Sequence, residues 1–310
     1  MTALDAVSAY VPATRVPIEA VLGPNGVDHK QTAVFRRFYG LDTVRIDHDA
    51  GLAEILLAAA RKLTALRGRE HLVRYVIAAR TLQNVMPEPL NVLPEICQSL
   101  GLGHVSAFAL TQHACASGLL AVDLAGRLLA ADGDNEALAL VLVGEKAFTP
   151  TGQFIPATTV MGEGTAAVLV RRDGDSDRVL SYATRTRGDY NDTLLMGPEL
   201  AIAFQQEYPA VLGTVIRAAV SQAGLELTDI DLVLPHNVNR VSWIRLCEQL
   251  RYPLSRVFLD NIAVTGHCFC ADPFINYQNA VERGRLTPGD RYLMVAVGLG
   301  ATFSAMVLQH

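Results

Sequence analysis

Residues 105–131 read VSAFALTQHACASGLLAVDLAGRLLAA. The first seven residues form a β-favouring apolar run, and the segment from Cys115 onward is apolar on nearly every side of a helix. A buried strand that leads directly into a buried helix is typical of an α/β fold. Small residues at Ser117, Gly118 and Ala121 would allow this helix to pack closely. We therefore predict an interior helix with Cys115 at its beginning.

The same alternation of short apolar runs and longer helical patterns extends along the whole chain of 310 residues. The strand patterns before the most polar segment lie at 73–80, 105–111, 137–145 and 165–172. That polar segment is DGDSD at 173–177, and a similar series follows it, in which a helix pattern spans 209–225. We predict two halves of similar plan, an N-terminal half over 1–172 with the cysteine and a C-terminal half over 173–310.

Composition restricts the class of protein. Half of the residues are hydrophobic, 18% are charged and the formal net charge is −5, so we expect a large core and no nucleic-acid partner. The N-terminus lacks the charged start and apolar run of a signal peptide. The apolar run near the C-terminus is interrupted by Gly298 and Gly300, which favours two strands joined by a glycine turn over a membrane span. We expect a soluble, cytoplasmic protein.

Cys115 is the first candidate for chemistry. The five cysteines are too few and too scattered for a disulfide framework. A thiol at a helix N-terminus feels the positive end of the helix dipole, which favours the thiolate, and the free N–H groups there can bind an oxyanion. Thioester exchange needs both features. A small buried cysteine without a chemical role remains the alternative at this stage.

Two histidines follow strand patterns in the second half. His236 ends IDLVLPH, and His267 lies in NIAVTGHCFCAD. Polar residues at strand ends of α/β sheets tend to line ligand crevices, so each is a candidate base or hydrogen-bond donor, although a buried structural histidine is the alternative for both. Cys268 and Cys270 beside His267 would offer three ligands to a metal ion, but no fourth ligand lies close to them in the sequence. We expect neither a metal nor a cofactor.

Two segments contain the glycines that nucleotide-binding loops require, but neither has the rest of such a motif. VGLGATFS at 297–304 lacks the lysine and the following helix of a phosphate loop. MGEGTAAVLV at 161–170 leads into a strand rather than a helix, which disfavours a dinucleotide site.

Seven segments in order resemble the ketosynthase III family of 3-oxoacyl-carrier-protein synthases. These are FRRFYGLDTVR (35–45), VIAARTLQNVMPEPLNVLPEICQSLG (76–101), HACASG, MGEGTAAVLV, DIDLVLPHNVNR (229–240), TGHCFCADPFINYQNAVERGRLTPGD (265–290) and VGLGATFSAMVL. HACASG resembles the family's nucleophile site, and LPHNVNR its histidine motif. The resemblance implies a five-layered αβαβα sandwich of two similar halves, in an enzyme of the thiolase superfamily that works as a homodimer.

The resemblance also implies roles for single residues. Cys115 would accept the acyl group, and His236 would take the place of the family's histidine. The oxyanion hole would be the backbone N–H groups of Cys115 and Leu299. Arg240 would help to dock a carrier protein, and Met86 falls near a position that reaches the partner subunit's pocket in relatives.

This chain departs from the family at the third catalytic position, where His267 replaces the family's asparagine. The resulting Cys-His-His set would support decarboxylative condensation with a malonyl unit, or acyl transfer to an O, N or S acceptor. The departures favour polyketide or other specialised metabolism. The only tryptophan, Trp243, does not match the one that stacks on CoA in relatives, which favours a carrier-protein donor over acyl-CoA.

Two other functions remain as alternatives. The chain could be a non-catalytic partner of a ketosynthase heterodimer, although such partners usually lose the nucleophile that is present here. It could also be a thiolase, but Gly298 to Ala301 lack the second cysteine that thiolases use near this turn.

Overall fold

The computed structural model describes residues 1–82, 91–191 and 196–310, without the side chains of 150 and 151. Met86 therefore lies outside the described residues. The strands are β1 (Thr2–Tyr10), β2 (Arg15–Pro17), β3 (Thr43–Arg45), β4 (Val73–Ala79), β5 (Ser106–Leu110), β6 (Leu138–Glu145), β7 (Phe154–Ile155), β8 (Thr159–Val160), β9 (Gly164–Arg171), β10 (Arg178–Thr186), β11 (Leu232–Leu234), β12 (Arg291–Gly298) and β13 (Thr302–Gln309). The α-helices are α1 (Ile18–Leu22), α2 (His29–Arg37), α3 (Leu52–Ala60), α4 (Val92–Ser99), α5 (Ser117–Asp132), α6 (Pro150–Gln153), α7 (Pro198–Gln222), α8 (Arg240–Leu250), α9 (Ile262–Thr265) and α10 (Asp272–Glu282).

Nine of these strands form one sheet in the order β11-β12-β13-β10-β1-β9-β6-β4-β5. The strands β6, β4 and β5 are parallel, and β9 runs antiparallel between β6 and β1. The sheet consists of two sets of strands with the same plan: β10-β13-β12-β11 in the second set repeats β1-β9-β6-β4 in the first. In the first set β5 pairs with β4, and at the matching place in the second set Val257 forms a parallel bridge with Val233 of β11. The two sets join narrowly, because only Thr2 and Ala3 of β1 pair with β10. The predicted α/β architecture of two similar halves is confirmed, and the boundary after residue 172 stays a prediction.

Five layers follow from the contacts of the helices. The central helices α5 and α10 pack between the two sets of strands, and one buried cluster joins Leu119 and Phe274 to Val141 on one side and Met294 on the other. The helices α3 and α4 cover the outer face of the first set, and α7 and α8 cover the outer face of the second. A helix with both sides against strands must be apolar nearly all round, as the sequence of α5 predicts.

The predicted close packing of α5 is visible at Gly118. A Cβ atom added there would lie 2.9 Å from the backbone oxygen of Cys270 and 2.9 Å from the ring of Phe274. By length and composition alone the segment Ala114–Asp132 could cross a membrane. It packs instead against strands of both halves, as the core helix of a folded domain does.

The long helix of the second half differs from its prediction. The sequence pattern places its start at Pro209, but α7 begins at Pro198 and carries Pro209 in its interior. Proline is favoured in the first turn of a helix and costs a backbone hydrogen bond further in. The first part of α7 matters for the site, because it carries Tyr208 to His236, and the ring of Phe204 packs against that of Tyr208.

Candidate active site

The thiol of Cys115 lies where the chain turns from β5 into α5. Residues Ala114–Ala116 form a short 3₁₀ turn that continues directly into α5. Ala114 adopts a left-handed conformation with φ of 46°, so the chain bends sharply just before the thiol. Cys115 is only 4% exposed, yet it lines two chambers. Its position at the helix start, as predicted, therefore leaves the sulfur accessible to a substrate.

His267 is the histidine that contacts the thiol. Its Nε2 lies 3.3 Å from the Sγ of Cys115, although the two residues are far apart in sequence. Its Nδ1 lies 2.5 Å from Oδ2 of Asp272, the first residue of α10. Cysteine, histidine and carboxylate thus form one continuous chain of contacts, the arrangement that activates a nucleophile in many transferases and hydrolases.

Asp272 is one site residue that the sequence analysis missed. It is fully buried, and it also accepts hydrogen bonds from the backbone N–H of Cys268 at 2.7 Å and of Asn237 at 2.6 Å. These bonds fix the carboxylate, so it can hold the imidazole in one orientation. An aspartate followed by a proline is typical of a helix start, so the local pattern alone gave no reason to expect that Asp272 also contacts His267. The spacing His-x-x-x-x-Asp was the only available signal.

The surroundings keep His267 protonated at neutral pH. Burial alone would lower the pKa of this imidazole, but the charge of Asp272, then that of Cys115, and hydrogen bonds to both raise it to about 10. An imidazolium 3.3 Å from sulfur stabilises a thiolate and has a proton to give to a leaving group.

His236 lies beside this chain of contacts without joining it. Its Nε2 shares a hydrogen bond of 2.7 Å with the hydroxyl of Tyr208, and its carbonyl accepts a bond from the indole of Trp243 at 3.1 Å. The His236 and His267 rings are 6.1 Å apart between centroids. Burial, and then the positive charge of His267, lower the pKa of His236 to about 3. His236 is therefore neutral, while His267 is charged.

The glycine turn between β12 and β13 lies against the backbone of Cys115. A Cβ atom added to Gly298 would lie 2.0 Å from the carbonyl oxygen of His113 and 2.9 Å from the backbone nitrogen of Cys115. Only glycine permits this approach. Leu299 follows in the turn and lines both chambers with Cys115. The two predicted oxyanion donors therefore belong to adjoining segments, and their role stays a prediction.

Two chambers meet at Cys115, Ile155 and Leu299. The histidine chamber, of about 140 Å³, is lined by Tyr208, His236 and His267 among others. The threonine chamber, of about 480 Å³, is lined by a mixture of polar and apolar residues: Thr81, Leu82, Thr111, Gln112, Ala114, Gly152, Phe154, Met161, Asn191, Phe269 and Gly300. A group bound to the sulfur could thus extend into one chamber while a second substrate enters through the other.

The remaining predicted residues lie around the site. Arg240 is exposed at the start of α8, and its backbone N–H bonds the carbonyl of Tyr39. Arg245, one turn further along and also exposed, lines the histidine chamber. Cys268 and Cys270 are buried, and burial raises the pKa of both thiols well above the ordinary value. Within 1–82, 91–191 and 196–310 no group of three or more His, Cys, Asp or Glu side chains is arranged to hold a metal ion.

Comparisons with known proteins find relatives in sequence. Residues 220–310 match the model of the family 3-oxoacyl-[acyl-carrier-protein] synthase III, C-terminal part. The β-ketoacyl-[acyl-carrier-protein] synthase III of Aquifex aeolicus is 26% identical over 255 residues, which cover 78% of each chain. The enzyme of the same name from Pseudomonas aeruginosa is 26% identical over 292 residues, covering 87% of this chain and 86% of the relative.

Solved structures show the same fold. The acyltransferase ChlB3 superposes with a TM-score of 0.86 at 20% identity, over 99% of this chain and 97% of that one. The synthase III structure from Aquifex aeolicus superposes with a TM-score of 0.81 at 21% identity, over the whole of both chains. Sequence and fold therefore agree: the chain is similar over most of its length to ketosynthase III enzymes, and it shares their fold.

Proposed function

We propose that this enzyme takes an acyl group from a thioester donor onto Cys115 and passes it to a nucleophilic acceptor without decarboxylation. The observation that carries this proposal is the chain of contacts from Cys115 through His267 to Asp272, with separations of 3.3 Å and 2.5 Å. A charged imidazole bonded to the thiol serves proton transfer in both directions of a thioester exchange.

In the first half-reaction the thiolate of Cys115 attacks the carbonyl carbon of the donor thioester. The new C–S bond forms first and the carbonyl oxygen becomes an oxyanion; the bond to the donor sulfur then breaks, and His267 gives its proton to the departing thiolate. The N–H groups of Cys115 and Leu299 would hold the oxyanion between these events. Asp272 keeps the imidazole ring in place throughout.

In the second half-reaction His267 starts out neutral and acts as the base. It removes a proton from the O–H, N–H or S–H of the acceptor as that atom attacks the acyl carbon. The bond to Cys115 breaks, and thiolate and imidazolium are restored. His236 and Tyr208 form a neutral polar wall of the histidine chamber, where they would orient the acceptor.

Decarboxylative condensation with a malonyl unit is the second candidate. Two histidines line the same chamber, as that reaction requires for holding an enolate oxygen. We rank it second because Nε2 of His236 already shares a hydrogen bond with the Tyr208 hydroxyl, so this nitrogen is not presented freely to a malonyl carbonyl.

A carrier protein is the proposed donor, with acyl-CoA as the alternative. The exposed cations Arg240 and Arg245 stand on one helix beside the histidine chamber, where they suit an acidic partner and a phosphate-bearing arm. We place the reaction in the cytoplasm on the composition of the sequence, and in specialised metabolism such as polyketide assembly on its departures from the family pattern at His267.

A homodimer is part of the proposal. The strand β5 is an edge of the sheet within the described residues, and Ser106, Ala107 and Ala109 on it are exposed. Antiparallel pairing with the same strand of a second copy would satisfy its free backbone groups and obey twofold symmetry. Light scattering that gives the mass of a single chain at micromolar concentration would rule this assembly out.

Intact-protein mass spectrometry tests the function. The enzyme is incubated with a panel of acyl-CoA and acyl-carrier donors, with Cys115→Ala as the blank. We expect a mass gain equal to the acyl group in the wild type and none in the variant. Adding an amine, an alcohol or a thiol then discharges the adduct to a product that carries the same acyl group.

Each result has a defined meaning. Discharge only by a malonyl carrier, with release of carbon dioxide, would replace acyl transfer by condensation. Absence of a mass gain with every donor would contradict catalysis and favour the non-catalytic partner of a heterodimer. An adduct of equal yield in Cys115→Ala would exclude Cys115 as the nucleophile.

A further inference from the structure

The backbone of His267 is held by the end of β8 and the residues that follow it. Its N–H donates to the carbonyl of Val160 at 3.0 Å, and its carbonyl accepts the N–H of Gly162 at 3.0 Å. The two backbones lie so close that a Cβ atom added to Gly162 would be 1.9 Å from the carbonyl oxygen of Thr265. Only glycine fits such an approach. The distance from the imidazole to Cys115 therefore depends on where these two segments, 160–163 and 264–267, are held.

Arg45, the last residue of β3, bonds to both segments. Its carbonyl accepts the N–H of Glu163 at 2.6 Å, next to Gly162. Its Nε donates to the carbonyl of Val264 at 3.0 Å, three residues before His267. That carbonyl belongs to the single turn α9, and carbonyls at the end of a helix lack intrahelical partners and favour a cation. One residue thus contacts both segments that position His267.

The guanidinium group of Arg45 also reaches the loop after β1. Its Nη1 donates to the carbonyls of Pro12 at 3.0 Å and of Ala13 at 2.9 Å. A guanidinium group is a planar fork with donors in fixed positions, so it can bond carbonyls on two sides at once, whereas an ammonium group has a single nitrogen. The side chain therefore anchors the α9 turn to the loop that follows a strand of the first set.

We propose that Arg45 is a positioning residue for His267, in which its guanidinium group anchors the α9 turn and so keeps Nε2 of His267 in contact with the sulfur of Cys115. The inference rests on the proposed function, because it concerns the same nucleophile and the same histidine. Arg45 is not among the described residues that line either chamber, so its effect on the chemistry passes through the backbone that it holds.

The rate of Cys115 acylation in Arg45→Lys and Arg45→Met is the first test. We expect both variants to be about 10²-fold slower than the wild type, the loss that a misplacement of about 1 Å can cause. Lysine keeps the charge and loses the fork, so it should not restore the rate. Arg256→Met is the matched control, since Arg256 also bonds two backbone carbonyls, those of Thr228 and Ile230, and it should keep the wild-type rate.

The pH dependence of iodoacetamide alkylation separates positioning from folding. An imidazolium in contact with sulfur favours the thiolate, so a more distant His267 should move the rise in alkylation of Cys115 to a higher pH in both variants. The other titratable groups that face this pair are unchanged in the variants: Asp272, His236, Tyr208 and Cys270. A profile that moves in Arg45→Met and returns in Arg45→Lys would assign the effect to charge and overturn the inference.

Labelling of Cys97, which is buried on α4, detects unfolding in the same samples. Alkylation of Cys97 together with Cys115 in both variants, with the rise at the wild-type pH, would make Arg45 a residue of folding alone and would also overturn the inference. If the wild type forms no acyl adduct but the moved profile appears in both variants, the proposed function fails and the positioning role stands. If adducts form at equal rates in the wild type and both variants, the role fails and the function stands.

Discussion

Asp272→Asn is expected to slow acylation of Cys115 by about 10²- to 10⁴-fold, the range found when a group that orients a catalytic histidine is lost. The carboxylate fixes the ring of His267 and supplies much of the charge that raises its pKa to about 10. With asparagine, that pKa should fall, and the imidazolium that protonates the leaving thiolate would be less populated at neutral pH.

Rapid-quench mass spectrometry gives the acylation rate of this variant directly. The pH profile separates catalysis from folding, because the rate of Asp272→Asn should decline at a lower pH than that of the wild type. Asp177→Asn is the control, another buried aspartate, which accepts from Tyr277, Tyr292 and His310 instead. A loss of less than threefold in Asp272→Asn would show that the carboxylate does not support His267 in catalysis.

Gly298→Ala is expected to slow acylation by at least about 10²-fold, the cost of removing one oxyanion donor. The added methyl group would lie 2.0 Å from the carbonyl oxygen of His113, and backbone atoms cannot yield as a flexible side chain can. The turn must therefore shift away from Cys115, and it would carry the N–H of Leu299 out of position.

Alkylation by iodoacetamide distinguishes this effect from misfolding. That reaction needs the Cys115 thiolate but no oxyanion hole, so Gly298→Ala should keep an alkylation rate near that of the wild type while thioester acylation is lost. Gly103→Ala, where an added Cβ meets nothing within 4 Å, should leave both rates unchanged. Equal losses in the two reactions of Gly298→Ala would contradict a role for this turn in binding the oxyanion.

Local patterns were enough to predict the α/β class and the position of Cys115 between a strand and a helix. The apolar run before Cys115 and the apolar helix after it are properties of neighbouring residues, and neighbours along the chain determine a strand, a helix and the turn between them. The same holds for the glycine turn between the last two strands. Pro209 was misleading because a proline inside a helix is tolerated where tertiary packing compensates for the lost bond.

The sequence by itself therefore determined the strand–cysteine–helix unit, the two similar halves and the candidates Cys115, His236 and His267. Only the tertiary structure decided which histidine contacts the thiol, and that Asp272 and Tyr208 belong to the site. It also made one imidazole charged and the other neutral. Contacts between residues far apart in the chain depend on how layers pack, and protonation depends on burial and nearby charge, neither of which a local pattern contains.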